Sequence, residues 1–311
     1  MKSESENEDK NKDSANEINH NSKMADRKKA AEEALKILNK KFGKNTVVRI
    51  GDKPILDIAT IPSGHPGIDE AIGIGGLPRG RVIEYYGPES QGKTTLGLLS
   101  IAATQKAGGI CAYVDAEYAL DKKWARSLGV DIDNLYINHP NCGEEALEVV
   151  ETLVASNAYD LIIVDSVAAL VPKEVVEGAL SDDNRMGCQS RMMSEKLSRL
   201  TPVIGRSECV VIFINQVRSK IGVVYGDPET TPGGRALKFY ASLRLRVSKV
   251  SGSDIKKAGR VVGHCVKITV KKNKVAPPFG ESEFELIYAK PEVLKEDKKK
   301  DADKDKEKEK E

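Results

Sequence analysis

Residues 81–107 read RVIEYYGPESQGKTTLGLLSIAATQKA, and the loop inside that stretch decides the fold. Gly87, Pro88, Glu89, Ser90, Gln91, Gly92, Lys93 and Thr94 fit the pattern GxxxxGK[ST], and Thr95 leads on into an apolar run. The loop follows a strand-like run (81–86) and precedes a helix-like one (94–107), which is the context its chemistry requires. Glycines let the backbone N–H groups curl around phosphates, and the helix N-terminus adds a favourable dipole. Lys93 is then placed to reach the β- and γ-phosphates, and the Thr94 hydroxyl to ligate Mg²⁺. The expectation is a phosphate loop that binds ATP with Mg²⁺.

Working outward, further strand-like runs occur at 110–116 (ICAYVDA), 134–138 (NLYIN), 160–166 (DLIIVDS) and 209–216 (CVVIFINQ). The middle ones are nearly continuous Val and Ile, as strands buried on both faces require. Helix-like stretches at 142–157 and 189–204 separate them, so the alternation predicts βαβ units. After Phe239 the pattern changes to strands joined without helices. The fold class expected is α/β: a mostly parallel central sheet with helices on both faces and an antiparallel extension.

Three polar residues close core strands. Asp165 ends LIIVD, where a carboxylate beside the phosphate loop can orient Mg²⁺, with a strand-end helix cap before Ser166 as the lesser alternative. Glu117 follows YVDA and could orient or deprotonate an attacking water. Taken alone it reads first as an ordinary loop acid. Gln216 ends FINQ, where its amide could sense a γ-phosphate.

Composition adds bounds. The chain has 311 residues, 40% hydrophobic and 31% charged, with a net charge of only +2, so a nucleic-acid partner cannot be argued from total charge. No apolar run approaches the roughly 20 residues of a membrane span, and the N-terminus has no signal-peptide pattern; a cytoplasmic protein is expected. Cys111, Cys142, Cys188, Cys209 and Cys265 show no metal-like spacing and read as reduced and structural. Residues 1–23 and 290–311 read as disordered, mixed-charge tails. Residues 24–53 hold a helix with apolar Ala31, Leu35, Leu38 and Phe42, a stop at Gly43 and a strand at 46–50. That segment must pack on the main domain, 54–289, or on a neighbouring subunit.

At this point GPESQGKTT, DAEYALD, IIVDSVAALVPK, RMMS, IFINQVRSKIGVVYGDPETTPGGRALKFYAS and KKNKVAPPF, in order between residues 27 and 289, closely resemble the bacterial RecA recombinase family. The resemblance implies a RecA-type P-loop NTPase: a DNA-dependent ATPase that assembles as a helical filament of itself on single-stranded DNA. Pairing with homologous duplex DNA and strand exchange would follow, with loaders or a repressor as further partners. It implies that Glu117 activates water and that Gln216 couples the γ-phosphate to the DNA loop after it. Trp124 takes the place of an aromatic that stacks on adenine, with Asp121 near the same base; read alone, Trp124 is a packing residue. Lys272 and Lys274, which alone look like a solvated basic edge, would reach ATP held by the next subunit. Residues 24–53 would dock on that subunit, and Phe239 would lie at the contact.

Two loops, 177–187 and 217–234, read alone as mobile surface loops; the resemblance makes them DNA-binding. Arg191, Arg218 and Lys220 would contact phosphates, Met186 and Ile221 would wedge between bases, and Gly233 and Gly234 would offer N–H groups. Such contacts are sequence-independent and salt-sensitive. Arg235 stands where the family usually has asparagine and adds a charge beside the DNA. The family's small C-terminal domain is expected to be missing, which puts duplex capture in doubt. Two other classes share parts of this pattern: a ring-forming motor of the same fold and a non-catalytic ATP switch.

Overall fold

The structure is a computed structural model that describes residues 3–43, 47, 58–178, 187–219, 229–257 and 260–287, with side chains from residue 23 onward. The chain divides into two units, Met1–Asp57 and Ile58–Glu311.

The first unit is built on helix α1, Ser3–Phe42. Gly43 ends it with φ of 100° and an N–H bond of 3.1 Å to the Asn39 carbonyl, as the sequence leads one to expect. The helix differs from expectation at its start. Most of the stretch read as a disordered tail is helical, although Asn, Ser and Asp, which favour caps and turns, outnumber Glu, Lys and Ala in it. Ile37 and Phe42 are exposed. The strand expected at 46–50 lies, Val47 apart, outside the described residues, as does the tail at 290–311.

In the second unit a short antiparallel pair, β1 (Thr60–Ile61) and β2 (Leu77–Pro78), flanks α2 (Pro66–Ile72). The central sheet takes in β3 (Val82–Gly87), β4 (Cys111–Asp115), β5 (Leu135–Asn138), β6 (Leu161–Asp165) and β7 (Val210–Gln216). Helices α3 (Lys93–Lys106), α4 (Lys122–Ser127), α5 (Gly143–Ala155), α6 (Lys173–Val176) and α7 (Cys188–Ile204) lie between them. A small pair, β8 (Arg218–Ser219) with β9 (Glu229–Thr230), and helix α8 (Ala236–Tyr240) lead to β10 (Leu243–Lys257), β11 (Arg260–Asn273) and β12 (Glu281–Ile287).

Sheet order is β12-β11-β10-β3-β7-β6-β4-β5. Pairings from β10 through β3, β7, β6 and β4 to β5 are parallel, whereas β10–β11 and β11–β12 are antiparallel. This is the expected architecture. Strand alternation divides the core into two layers. Leu161 and Ile163 pack with Leu96, Leu98 and Ile101 of α3 on one face. Ile162 and Val164 pack with Leu147, Val150 and Val154 of α5 and Met193, Leu197 and Leu200 of α7 on the other. Each such side chain contributes about 1.5–3 kcal/mol by leaving water, which is why β6 carries no polar residue before its last position.

Register sets the site. Gly87 of β3 lies opposite Gln216 of β7, and Asp115 of β4 opposite Asp165 of β6. The carboxyl ends of four adjacent strands therefore share one edge of the sheet, where open α/β folds bind ligands.

Candidate nucleotide and nucleic-acid sites

The phosphate loop leaves β3 at Gly87, where a Cβ would lie 1.9 Å from the Val247 carbonyl oxygen, so only glycine fits beneath β10. Gly92 precedes α3 with φ of 92°, a left-handed turn that glycine adopts without strain. The turn aims the N-terminal N–H groups of α3 back at the loop. Lys93 follows, only 7% exposed, and donates to the Pro88 carbonyl at 2.6 Å. Burial lowers its pKa, while Asp165, Glu117 and Glu89 pull the other way. An ammonium so placed gains from any anion that enters the loop.

Thr94 Oγ1 donates to Asp165 Oδ2 at 2.7 Å, and the Tyr113 hydroxyl donates to the same oxygen at 2.8 Å. Burial raises the Asp165 pKa despite these two donors. Hydroxyl and carboxylate side by side form an oxygen donor set of the kind hard cations take. Among the described residues no group of three or more His, Cys, Asp or Glu could hold a metal, so a cation here would draw its other ligands from water and phosphate.

Ser166, next in the chain after a cis Asp165–Ser166 peptide, donates a short hydrogen bond to Glu117 Oε1. Sequence reasoning passed over Ser166 and Tyr113: nothing in their spacing says which carboxylate each would meet. Glu117, Asp165, Ser166, Lys93, Thr94 and Gln216 line one cavity of about 360 Å³. The strand-end residues singled out in the sequence are thus brought together.

A second cavity of about 570 Å³ opens on the other side of the loop. Trp124 stands on one wall, its indole Nε1 3.4 Å from Thr95 Oγ1. Asp121 caps α4, its Oδ1 accepting from the backbone N–H of Lys123 and Trp124 at 2.8 and 3.1 Å. Its carboxylate therefore sets the helix that carries the indole. Lys249, His264 and Leu286 of the antiparallel wing form the facing wall, and none of them carried a sequence signal. The Lys249 backbone N–H also donates to Gln91 Oε1, tying the wing to the loop.

Lys272 and Lys274 are not brought to this site. Lys272 of β11 is the partner of Arg244, which faces Glu84, and the Lys274 N–H bonds to the Ser242 carbonyl. Ser242 in turn bonds to Val82, at the amino end of β3. Along the strand Lys274 is thus roughly 17 Å from the phosphate loop, and Lys272, level with Glu84, is roughly 10 Å from it and two strands to the side, beyond the reach of either side chain. Lys272 Nζ donates to the carbonyls of Lys238 and Phe239 at 2.6 and 3.0 Å, and Lys274 Nζ to that of Phe239 at 3.3 Å. Burial, with Lys274 and Arg244 nearby, lowers the Lys272 pKa to about 8. Phe239 itself is 70% exposed.

Of the loop residues, Met186, Lys220 and Ile221 lie outside the described residues. Arg191, Arg218 and Arg235 are exposed. A Cβ on Gly234 would lie 2.7 Å from Ser190 Oγ, so Arg191 and Arg235 flank one contact between the end of the second loop and the first turn of α7. The Gly233 N–H donates to Gln189 Oε1 at 3.2 Å and would have to leave it to meet a phosphate. Gln189 Nε2 donates to the carbonyls of Val167 and Leu170, just beyond Asp165. Gln189 was missed in the sequence, where it reads as an ordinary helix-start polar residue.

Residues 29–292 match the family model of the RecA N-terminal domain. The chain is 55% identical over 264 residues to protein RecA of Thermus aquaticus, covering 85% of this chain and 77% of that one. It is 55% identical over 263 residues to protein RecA of Campylobacter fetus, with 84% and 75% covered. Against protein RecA of Acinetobacter baylyi the identity is 53% over 262 residues, with 84% and 74% covered.

Proposed function

This chain belongs to the RecA family, and on that premise we propose how its residues divide the work of a DNA-dependent ATPase that pairs and exchanges homologous strands in recombination and repair. The observation that carries the proposal is the convergence of Lys93, Thr94, Glu117, Asp165 and Gln216 on one cavity while Lys272 and Lys274 occupy the opposite end of the sheet. Neither the ring-forming motor nor the non-catalytic switch draws support from the relatives.

The loop from Gly87 to Thr95 cradles the phosphates, and Lys93 neutralises the charge that develops as the γ-phosphoryl departs. Thr94 and Asp165 would hold Mg²⁺, which when bound offsets phosphate charge. Glu117, steadied by Ser166, orients a water and accepts its proton as the water oxygen attacks the γ-phosphorus. Gln216 senses the γ-phosphate and passes its presence to the loop that begins at Val217. Trp124 stacks on the adenine, with Asp121 fixing its helix.

Single-stranded DNA lies along the two loops, held by Arg191, Arg218, Lys220, Gly233, Gly234 and Arg235, with Met186 and Ile221 between bases. The ATP of one subunit is completed by Lys272 and Lys274 of the next, so the active unit is a filament in the cytoplasm. A head-to-tail contact suits this, since the loop and the lysines occupy opposite ends of one subunit.

The test is ATP hydrolysis with and without single-stranded DNA over a range of protein and salt concentrations. Stimulation by DNA that is cooperative in protein and weakened by salt is expected. Turnover indifferent to DNA would overturn the reading. In the same assay Trp124→Ala should raise the ATP KM about tenfold with kcat kept, since base–aromatic stacking is worth about 1–3 kcal/mol. Trp124→Tyr should restore it. An unchanged KM would remove Trp124 from the base site.

A further inference from the structure

Glu84 sits in the middle of β3, fully buried, in a sheet otherwise filled with Val and Ile. Arg244 of β10 donates to its Oε2, and Asn215 of β7 donates to its Oε1 at 3.0 Å. Three adjacent strands thus hold one polar row on a single face. The Arg244 guanidinium also lies 4.2 Å over the Tyr86 ring. A buried ion pair of this kind rarely stabilises more than apolar residues of the same volume would, so stability alone does not explain it.

What the row touches explains it better. The second amide hydrogen of Asn215 goes to the Pro232 carbonyl at 3.2 Å, at the base of the second DNA loop. Asn215 Oδ1 accepts from the Gln216 N–H at 3.0 Å. Two residues further along β10, on the same face, Arg246 pairs bidentately with Glu229, three residues before Pro232 on the same stem of that loop. At the far side of the row Arg244 is the strand partner of Lys272. The C-terminal stem of the loop, Gln216 and the strand end that bears Lys272 are therefore joined through Glu84 and its two partners.

We propose that Glu84, Arg244 and Asn215 are positioning residues that couple DNA occupancy of the second loop to ATP turnover, with the Asn215–Pro232 hydrogen bond as the link that transmits it. A pull on Pro232 by bound DNA acts on Asn215, which holds the backbone of Gln216 on one side and Glu84 on the other. None of the three lines either cavity beside the phosphate loop. The inference rests on the reading of this chain as a DNA-stimulated ATPase.

Two variants test it. Asn215→Ala removes every hydrogen bond of the side chain. The double variant Glu84→Gln with Asn215→Asp exchanges amide and carboxylate, so the pair and the net charge beside Arg244 survive. The donor to Pro232 is lost, and the negative charge moves one strand further from Arg244. Melting curves establish that each folds, and the double variant stands alone if the alanine variant does not. ATP KM, affinity for single-stranded DNA, and kcat with and without that DNA are then measured on the full chain. Expected values are KM, DNA affinity and unstimulated kcat within about twofold of wild type, and DNA stimulation reduced about tenfold, the scale of a coupling between sites. Stimulation at the wild-type level in the folded double variant would overturn the relay, as would DNA affinity and stimulation falling in parallel. A wild-type protein without DNA stimulation would instead overturn the function on which the relay rests.

Discussion

Glu117→Gln is expected to slow ATP turnover by about 10²–10⁴-fold, the range lost with a general base, while ATP and DNA binding persist. Glutamine keeps the shape of the side chain and can still accept from Ser166, whose hydroxyl donates to Glu117 Oε1. It cannot take a proton from water. Lys93, Thr94 and Asp165 are unaltered, so the phosphate loop and its oxygen donor set remain. Single-turnover phosphate release with saturating single-stranded DNA checks the rate, and filter binding checks the complex. Turnover at the native rate would remove Glu117 from the role of base. Loss of binding together with turnover would make it a structural residue of the loop.

The second large effect concerns assembly. A Lys272→Ala, Lys274→Ala chain should lose about a thousandfold in turnover, as removal of a trans-acting cation does elsewhere. Mixed in equal amounts with the Glu117→Gln chain, it should recover about a quarter of native activity, because in a randomly mixed head-to-tail filament one contact in four joins an intact Glu117 to intact lysines. If the lysines acted within their own chain, no combination of the two would contain a complete site. Recovery near zero, from chains that still assemble, would mean that the lysines act within their own chain, and native turnover by the lysine variant alone would place them outside the reaction. The Lys272 pKa of about 8 adds a direction. Placing its ammonium against a phosphate favours the protonated form, so assembly should weaken as pH rises through that value. Sedimentation at pH 7 and pH 9 reads this directly.

Much of the catalytic half of the site was legible because it is local. The phosphate loop needs glycines, a lysine and a hydroxyl at fixed spacing, and the backbone of one turn places them all. Asp165, Glu117 and Gln216 could be picked out as polar residues that end apolar strands. In a parallel sheet the carboxyl ends share one edge, so residues so marked are carried towards one another whatever the strand order. The antiparallel wing after Phe239 was legible for the same kind of reason, as strands with no helix between them.

Long-range pairing decided the rest. Glu84 appears in RVIEYY as one polar residue in an apolar run, and only the strand order β10-β3-β7 gives it Arg244, 160 residues away, and Asn215, 131 residues away. Ser166 and Tyr113 found their carboxylates through the parallel register of β4 on β6. The start of α1 could not be read from the sequence because a polar, charged stretch without an apolar stripe leaves no periodic mark. Sequence also assigned Lys272 and Lys274 to another subunit's ATP by resemblance alone. In the fold they stand away from their own phosphate loop: β11 runs antiparallel to β10, so its carboxyl end returns towards the other edge of the sheet. By itself the sequence determined which residues can do the chemistry, because spacing along a chain fixes what one loop or one strand end can hold. Tertiary structure alone decided which of them meet, because hydrogen-bond register between distant strands sets their distances.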